Sequence, residues 1–210
     1  MYDSICWWNA GEIPMMELFY NHEAYNDYPV VGVNYASAKE FCKWLTEKYN
    51  SNPKKKYKKV IFRLPTEEEF KKAACYDCYS YKTNYPWGNE ILQKSKNEKL
   101  CNYWDLDQTL LDYENKENLI YHGEKSTFIS FMEPVGSFLA TPYGLFDIVG
   151  NVAEMIQEEN VAMGGSWQST GYNVRITSKK TYDKPQATVG FRVYMEIVEF
   201  QESIENIKSK

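Results

Sequence analysis

The sequence predicts a loop-rich α+β domain with two main helices and short strands, and three observations carry that prediction. Two segments, opening at Asn34 and Thr66, place apolar residues at helical spacing behind residues that cap helices well. Short runs at residues 60–64, 161–167 and 189–195 read as strands, the last alternating apolar residues around Arg192. The aromatic fraction is 16%, with 18 Tyr, 6 Trp and 10 Phe, so large rings rather than aliphatic runs must fill the interior. A chain of 210 residues is long enough to bury a core and fits a single domain over residues 1–210, with an irregular entry at 1–27 and a charged tail at 196–210.

Taken in order, residues 1–27 mix Cys6-Trp7-Trp8, Pro14 and Leu18-Phe19-Tyr20 with polar residues, and extended segments and loops are expected there. Asn34 caps a helix whose Ala38, Phe41, Cys42 and Leu45 fall at i, i+3, i+4 and i+7, one buried face. Residues 50–59 hold Pro53 and five lysines, Lys54, Lys55, Lys56, Lys58 and Lys59, a solvated turn that could also dock on an acidic partner. After the strand at 60–64, Thr66 and Glu69 form a capping box, with Phe70, Ala73 and Ala74 as the buried stripe. Glu67, Glu68 and Glu69 lie in that first turn, where the helix dipole favours acids without any catalytic role. Cys75-Tyr76-Asp77-Cys78 is a lone C-x-x-C; zinc would need two more ligands, and only Cys101, His22 and His122 are available. Residues 85–90 form a turn around Trp87, and the tail from Glu196 is expected to be a frayed helix.

Bulk properties exclude several classes. A net charge of −5 opposes nonspecific nucleic-acid binding, which needs clustered Lys and Arg. No run approaches the roughly 18 apolar residues of a membrane helix, and residues 1–27 lack the pattern of a signal peptide. Five cysteines without regular spacing argue against a disulfide framework.

The chemistry-bearing stretch is Tyr143-Gly144-Leu145-Phe146-Asp147-Ile148-Val149-Gly150-Asn151-Val152-Ala153-Glu154-Met155, followed by Gly164-Gly165-Ser166-Trp167. Hard cations such as calcium take oxygens from carboxylates and carbonyls alike, and Asp147 and Glu154 flank a tight Gly150-Asn151 turn. From spacing alone the two readings are a metal-stapled loop and a turn with solvated acids. The segment resembles the G-L-x-D-x-x-G-N-V-x-E-W signature of the formylglycine-generating (sulfatase-modifying factor) family, a variant of the C-type lectin fold. Further blocks agree in order: Tyr28-Pro29-Val30-Val31-Gly32-Val33, Phe62-Arg63-Leu64-Pro65-Thr66-Glu67-Glu68-Glu69-Phe70, Tyr85-Pro86-Trp87-Gly88-Asn89-Glu90, Asn102-Tyr103-Trp104, Pro134-Val135-Gly136-Ser137-Phe138 and Gly190-Phe191-Arg192. The resemblance implies calcium held by the side chains of Asp147 and Glu154 and the carbonyls of Gly150 and Val152. It also implies a second calcium near the Asn102 side chain and the Tyr103 carbonyl, with Asp105, Asp107 and Asp112 as acidic candidates in an insert that shows no clear match.

The resemblance also bears on catalysis. Formylglycine-generating enzymes oxidise a client cysteine with a cysteine pair that binds copper(I), between the G-G-S motif and the final G-F-R. Soft thiolates suit that ion, and residues 164–192 of this chain contain no cysteine. The iron-dependent sulfoxide synthases related to the family need histidines from a further domain, whereas His22 and His122 lie 100 residues apart. Ser166, Ser169, Tyr172 and Arg175 are candidates to line a cleft, but no base is placed to activate either serine. Arg192 is expected to anchor a carboxylate. The passage Tyr20-Asn21-His22-Glu23-Ala24-Tyr25-Asn26-Asp27-Tyr28-Pro29-Val30-Val31-Gly32-Val33 is similar to the gliding-motility and type IX secretion lipoproteins of that family. That likeness implies a noncatalytic scaffold of the cell envelope with protein partners. An oxidase acting on a protein cysteine and a glycan-binding module are the alternatives.

Overall fold

The computed structural model describes residues 2–75, 83–88, 92–95, 98–105 and 131–200. Cys78, Asp107, Asp112, His122 and residues 201–210 lie outside the described residues. In chain order the elements are α1 (Ile5–Asn9), α2 (Met15–Leu18), a 3-10 turn (Glu23–Tyr25), α3 (Tyr35–Ser51), β1 (Lys59–Arg63) and α4 (Glu67–Ala74). There follow β2 (Gln93–Ser95), β3 (Glu98–Lys99), β4 (Ala153–Met155), β5 (Val161–Met163), a 3-10 turn (Gly171–Val174), β6 (Lys179–Thr181), β7 (Val189–Gly190) and β8 (Tyr194–Glu199).

The two main helices form where the sequence places them. The Asn34 side chain accepts from the Ser37 N–H at 2.7 Å and starts α3. Ala38 and Cys42 are buried, but Phe41 is 42% exposed, so the expected face is narrower than its spacing implied. Phe41 instead meets Trp44 and Phe191, ring centroids 5.5 and 5.6 Å away. At α4 the Thr66 hydroxyl accepts from the Glu69 N–H at 3.2 Å and the Glu69 carboxylate from the Thr66 N–H at 2.8 Å, closing the capping box. Phe70 and Ala74 are fully buried beneath it. The first-turn acids have structural partners: Glu69 takes two 2.7 Å bonds from Arg63, and Glu67 pairs with Lys71 at 2.6 Å and Lys179 at 2.5 Å.

The expected strand at 189–195 is divided. β7 adds in parallel to β4, completing a sheet of order β6-β5-β4-β7, while β8 leaves that sheet and pairs antiparallel with β1. Residues 196–199 therefore extend a strand, with Glu196 opposite Ile61 and Ile197 opposite Val60, and are not helix. The free edge of β1 is closed by α3: Asn50 bonds both the N–H and the C=O of Val60, and the Thr46 hydroxyl bonds both groups of Phe62. β4 and β5, buried at every position, form the centre.

The entry segment folds into α1 and α2 rather than extended loops, because its rings have a place to go. Trp7 and Phe19 are buried with centroids 4.7 Å apart, and Trp7 also stacks on Phe131 in a cluster with Val31, Met132 and Trp167. Other rings of the segment stay outside, Trp8 at 60% exposure. No helix of the described residues is long and apolar enough to cross a membrane.

Candidate functional site

The loop leading into β4 is built from backbone conformations few residues accept. Asp147, Gly150 and Asn151 have φ of 55°, 73° and 58°. Asp and Asn tolerate this left-handed region better than other side chains. At Gly150 there is a second reason, since a Cβ would meet the Asn102 carbonyl oxygen at 2.4 Å.

Asn151 is the residue that sequence reasoning missed. It is 1% exposed, and its side chain donates to the Glu133 carbonyl at 2.9 Å while accepting from the Glu133 N–H at 2.9 Å and the Asn102 amide at 3.2 Å. Its main chain bonds Asn102 O and Trp167 N–H, both at 2.9 Å. The side chain thus ties two distant segments and the main chain a third, and only its place beside Gly150 in the motif hinted at it.

The two acids of the loop face one cavity of about 600 Å3, lined among others by Tyr28, Val135, Phe146, Val152 and Arg192. Asp147 accepts N–H bonds from Gly136 at 2.6 Å and Phe138 at 3.1 Å. Glu154, 4% exposed, is held by Arg192: Nε lies 3.0 and 3.1 Å from its two oxygens and Nη2 2.7 Å from Oε1. Nη2 also donates to the Phe146 carbonyl at 2.8 Å, so Arg192 is the carboxylate anchor the sequence led us to expect.

Burial raises the pKa of Glu154, against the attraction of Arg192 and with repulsion from Asp147. Burial also raises that of Asp147, against the N–H bonds from Gly136 and Phe138. Arg192 thus bonds Glu154 directly and reaches Asp147 only through its electrostatic field. Among the described residues no hydrogen bond ends on the carbonyl of Gly150 or Val152, although both residues are buried. Buried carbonyls of that kind call for a partner.

The oxygens this loop could offer a hard cation such as calcium are the carboxylates of Asp147 and Glu154 and the carbonyls of Gly150 and Val152, with both Glu154 oxygens already bonded to Arg192 and both Asp147 oxygens to main-chain N–H groups. Among the described residues no three His, Cys, Asp or Glu side chains converge, so main-chain oxygens would have to supply part of the shell. The second set fits less well. The Asn102 amide donates to Phe131 O at 2.6 Å and to Asn151, and the Tyr103 carbonyl accepts from the Lys99 ammonium at 3.3 Å. An ammonium already occupies that carbonyl, and Asp105 is turned to the Tyr103 hydroxyl at 3.4 Å.

The cleft candidates do not assemble a nucleophile. Ser166 is 1% exposed and its hydroxyl lies 3.2 Å from that of Ser169, which also accepts the Ser166 N–H at 3.0 Å. Tyr172 is exposed, with the Arg175 guanidinium 3.9 Å over its ring. Cys6, Cys42, Cys75 and Cys101 are buried, and among them burial pushes the Cys6 thiol up to about 11 and the Cys101 thiol up to about 12. Thiols in such surroundings are poor thiolates.

Residues 11–197 match the model of the Sulfatase-modifying factor enzyme 1-like domain, FGE-sulfatase. The chain belongs to that family. Within this sulfatase-modifying factor family it is 28% identical over 213 aligned positions to the bovine (Bos taurus) protein named inactive C-alpha-formylglycine-generating enzyme 2, covering 90% of this chain and 58% of that one. To the formylglycine-generating enzyme of Mus musculus it is 26% identical over 167 positions, covering 79% of this chain and 33% of the mouse protein. The chain thus spans 58% or less of these relatives' length. Among solved structures, PvdO of Pseudomonas aeruginosa superposes with a TM-score of 0.54 at 18% identity, covering 80% of this chain and 61% of that one. Treponema denticola variable protein 1 gives 0.54 at 21% identity, covering 84% and 74%. These likenesses establish the α+β fold that the motifs pointed to.

Proposed function

We propose that this chain is a noncatalytic member of the sulfatase-modifying factor family, a calcium-stabilised module that binds protein partners. The observation that carries the noncatalytic part is that residues 164–192, which hold the copper-binding pair in active members, contain no cysteine, while the described cysteines are buried with no pair at a surface. The bovine relative, named an inactive formylglycine-generating enzyme, supports the same reading. Calcium is supported by the shared cavity of Asp147 and Glu154 and the unused carbonyls of Gly150 and Val152. Its role would be to neutralise the acid pair and to hold the left-handed turn in place. The likeness of residues 20–33 to gliding and type IX secretion lipoproteins favours a scaffold of the cell envelope, with the exposed rings of the entry and Lys54 to Lys59 as contact surface.

The test is thermal unfolding of chelator-stripped protein with and without added calcium, in the wild type and in Asp147→Ala. A ligand bound only by the native state raises Tm by mass action. A rise in the wild type that Asp147→Ala loses is the expected outcome. A glycan array separates the scaffold from a glycan-binding module, for which no binding is expected.

A further inference from the structure

The groove between α3 and β1 plays no part in the site above. It measures about 540 Å3 and is lined by Tyr35, Lys39, Cys42, Lys43, Thr46 and Glu47 on the helix side, facing Ile61 to Leu64 and Gln157. Its origin lies in how α3 closes the edge of β1. Asn50 serves Val60 and Thr46 serves Phe62, two rungs four residues apart on the helix. The next residue four back is Cys42, a small apolar side chain that hydrogen-bonds weakly and packs with Leu64 in the core. The ladder gives way there to an open apolar floor.

The charges around that floor are ordered along it. Lys39 and Lys43, one helical turn apart, form no ion pair among the described residues, and the Lys39 ammonium lies 5.4 Å over the Tyr35 ring. Arg63, by contrast, is fully engaged by Glu69 and Glu196, at 2.7 and 2.8 Å. Glu47 stands one turn beyond Lys43, toward the end where Thr46 meets Phe62. An anionic head is therefore favoured at the Lys39–Lys43 end and opposed at the Glu47 end, while the body between them contacts carbon.

We propose that this groove binds a small amphipathic monoanion, an apolar chain or ring system carrying one carboxylate-type head. The head pairs with Lys39 and Lys43, and the apolar body lies on Cys42, Ile61, Phe62 and Leu64. The size is that of a small-molecule pocket lined mainly by carbon with a few convergent polar groups. A dianion with a group at each end is rejected by Glu47, which makes the site selective as well as receptive.

The experiment titrates the protein with anilinonaphthalene sulfonate, read by fluorescence, and displaces it with decanoate, with the ten-carbon dianion sebacate and with decyltrimethylammonium. Saturable one-to-one binding displaced by decanoate, and about tenfold less well by sebacate or the cation, is expected. Lys39→Glu/Lys43→Glu should weaken decanoate about tenfold or more, whereas Lys72→Glu/Lys184→Glu, at exposed positions outside the groove, should leave it unchanged. Circular dichroism melting shows that each variant is folded, and Ile61→Glu, at a partly exposed position, gives a second means of blocking the floor. Undiminished binding in Lys39→Glu/Lys43→Glu, equal displacement by the cation, or no saturable binding by the wild type would overturn the proposal.

Discussion

Arg192 reaches back to Glu154, 38 residues earlier, and places Nε and Nη2 on one buried carboxylate while the same Nη2 holds the Phe146 carbonyl. The pair joins the crossover after β7 to the central strand β4 and fixes the wall of the cavity that Asp147 shares. Removing one member leaves the other charge unpaired. For Glu154→Ala a loss of about 3 kcal/mol is expected, the low end for a broken buried pair because Arg192 keeps some contact with solvent. Urea denaturation measures it, and Arg192→Lys should recover only part of the loss, since an ammonium cannot make the two-pronged contact. Equal stability of wild type and Glu154→Ala would show the pair to be incidental.

The α4 cap makes stability depend on acid. Arg63 and the Thr66 N–H hold the Glu69 carboxyl at about 2, below its ordinary value of 4.5. A depressed carboxyl contributes stability that is present above 4.5 and is lost as pH falls through about 2. Glu69→Gln should therefore flatten the stability profile across that window in acid-unfolding titrations, and Thr66→Ala should cost about 1 kcal/mol at neutral pH by removing the cap. An unchanged acid limb in Glu69→Gln would contradict the assignment.

The thiols offer a separate check on the noncatalytic reading. Cys6 and Cys101 are buried and their pKa values are raised, Cys42 is buried likewise, and alkylation proceeds through the thiolate. Iodoacetamide at pH 8 should leave these three unmodified in native protein and label them in denaturant, as read by peptide mass spectrometry. Rapid native labelling of any of the three would mean a reactive cysteine where none is expected.

Gly150 tests the loop geometry without touching a charge. A Cβ there would lie 2.4 Å from a backbone oxygen at φ 73°, so Gly150→Ala must displace the Asn102 chain. A loss of about 2 kcal/mol or more is expected in denaturant titrations, as for strained left-handed positions with steric overlap. A neutral result would mean that the turn relaxes at no cost.

How much of this was legible in the sequence depends on the range over which each residue acts. The capping box of Thr66 and Glu69 and the Asn34 cap act within one turn, and both are found as read. Phe41 lies outside the buried face because helical spacing names a face but not what covers it, and β1, bonded to Asn50 and Thr46, covers a neighbouring face. Residues 196–199 carry no period-two signal in their charges, and pairing with β1, visible only in three dimensions, makes them strand where the sequence suggests a frayed helix. In the site, Asp147, Glu154 and Arg192 were named from motif and chemistry, whereas Asn151 escaped because its partners, Glu133 and Asn102, lie 18 and 49 residues away.

The proposed calcium staple and the proposed absence of copper chemistry are tested most directly by calorimetric titration of chelator-stripped protein with calcium and, under reducing conditions, with copper(I). Saturable heat for calcium that Asp147→Ala abolishes, with none for copper(I) in the folded protein, is the expected result. Tight copper(I) binding, or the absence of any calcium heat, would contradict it.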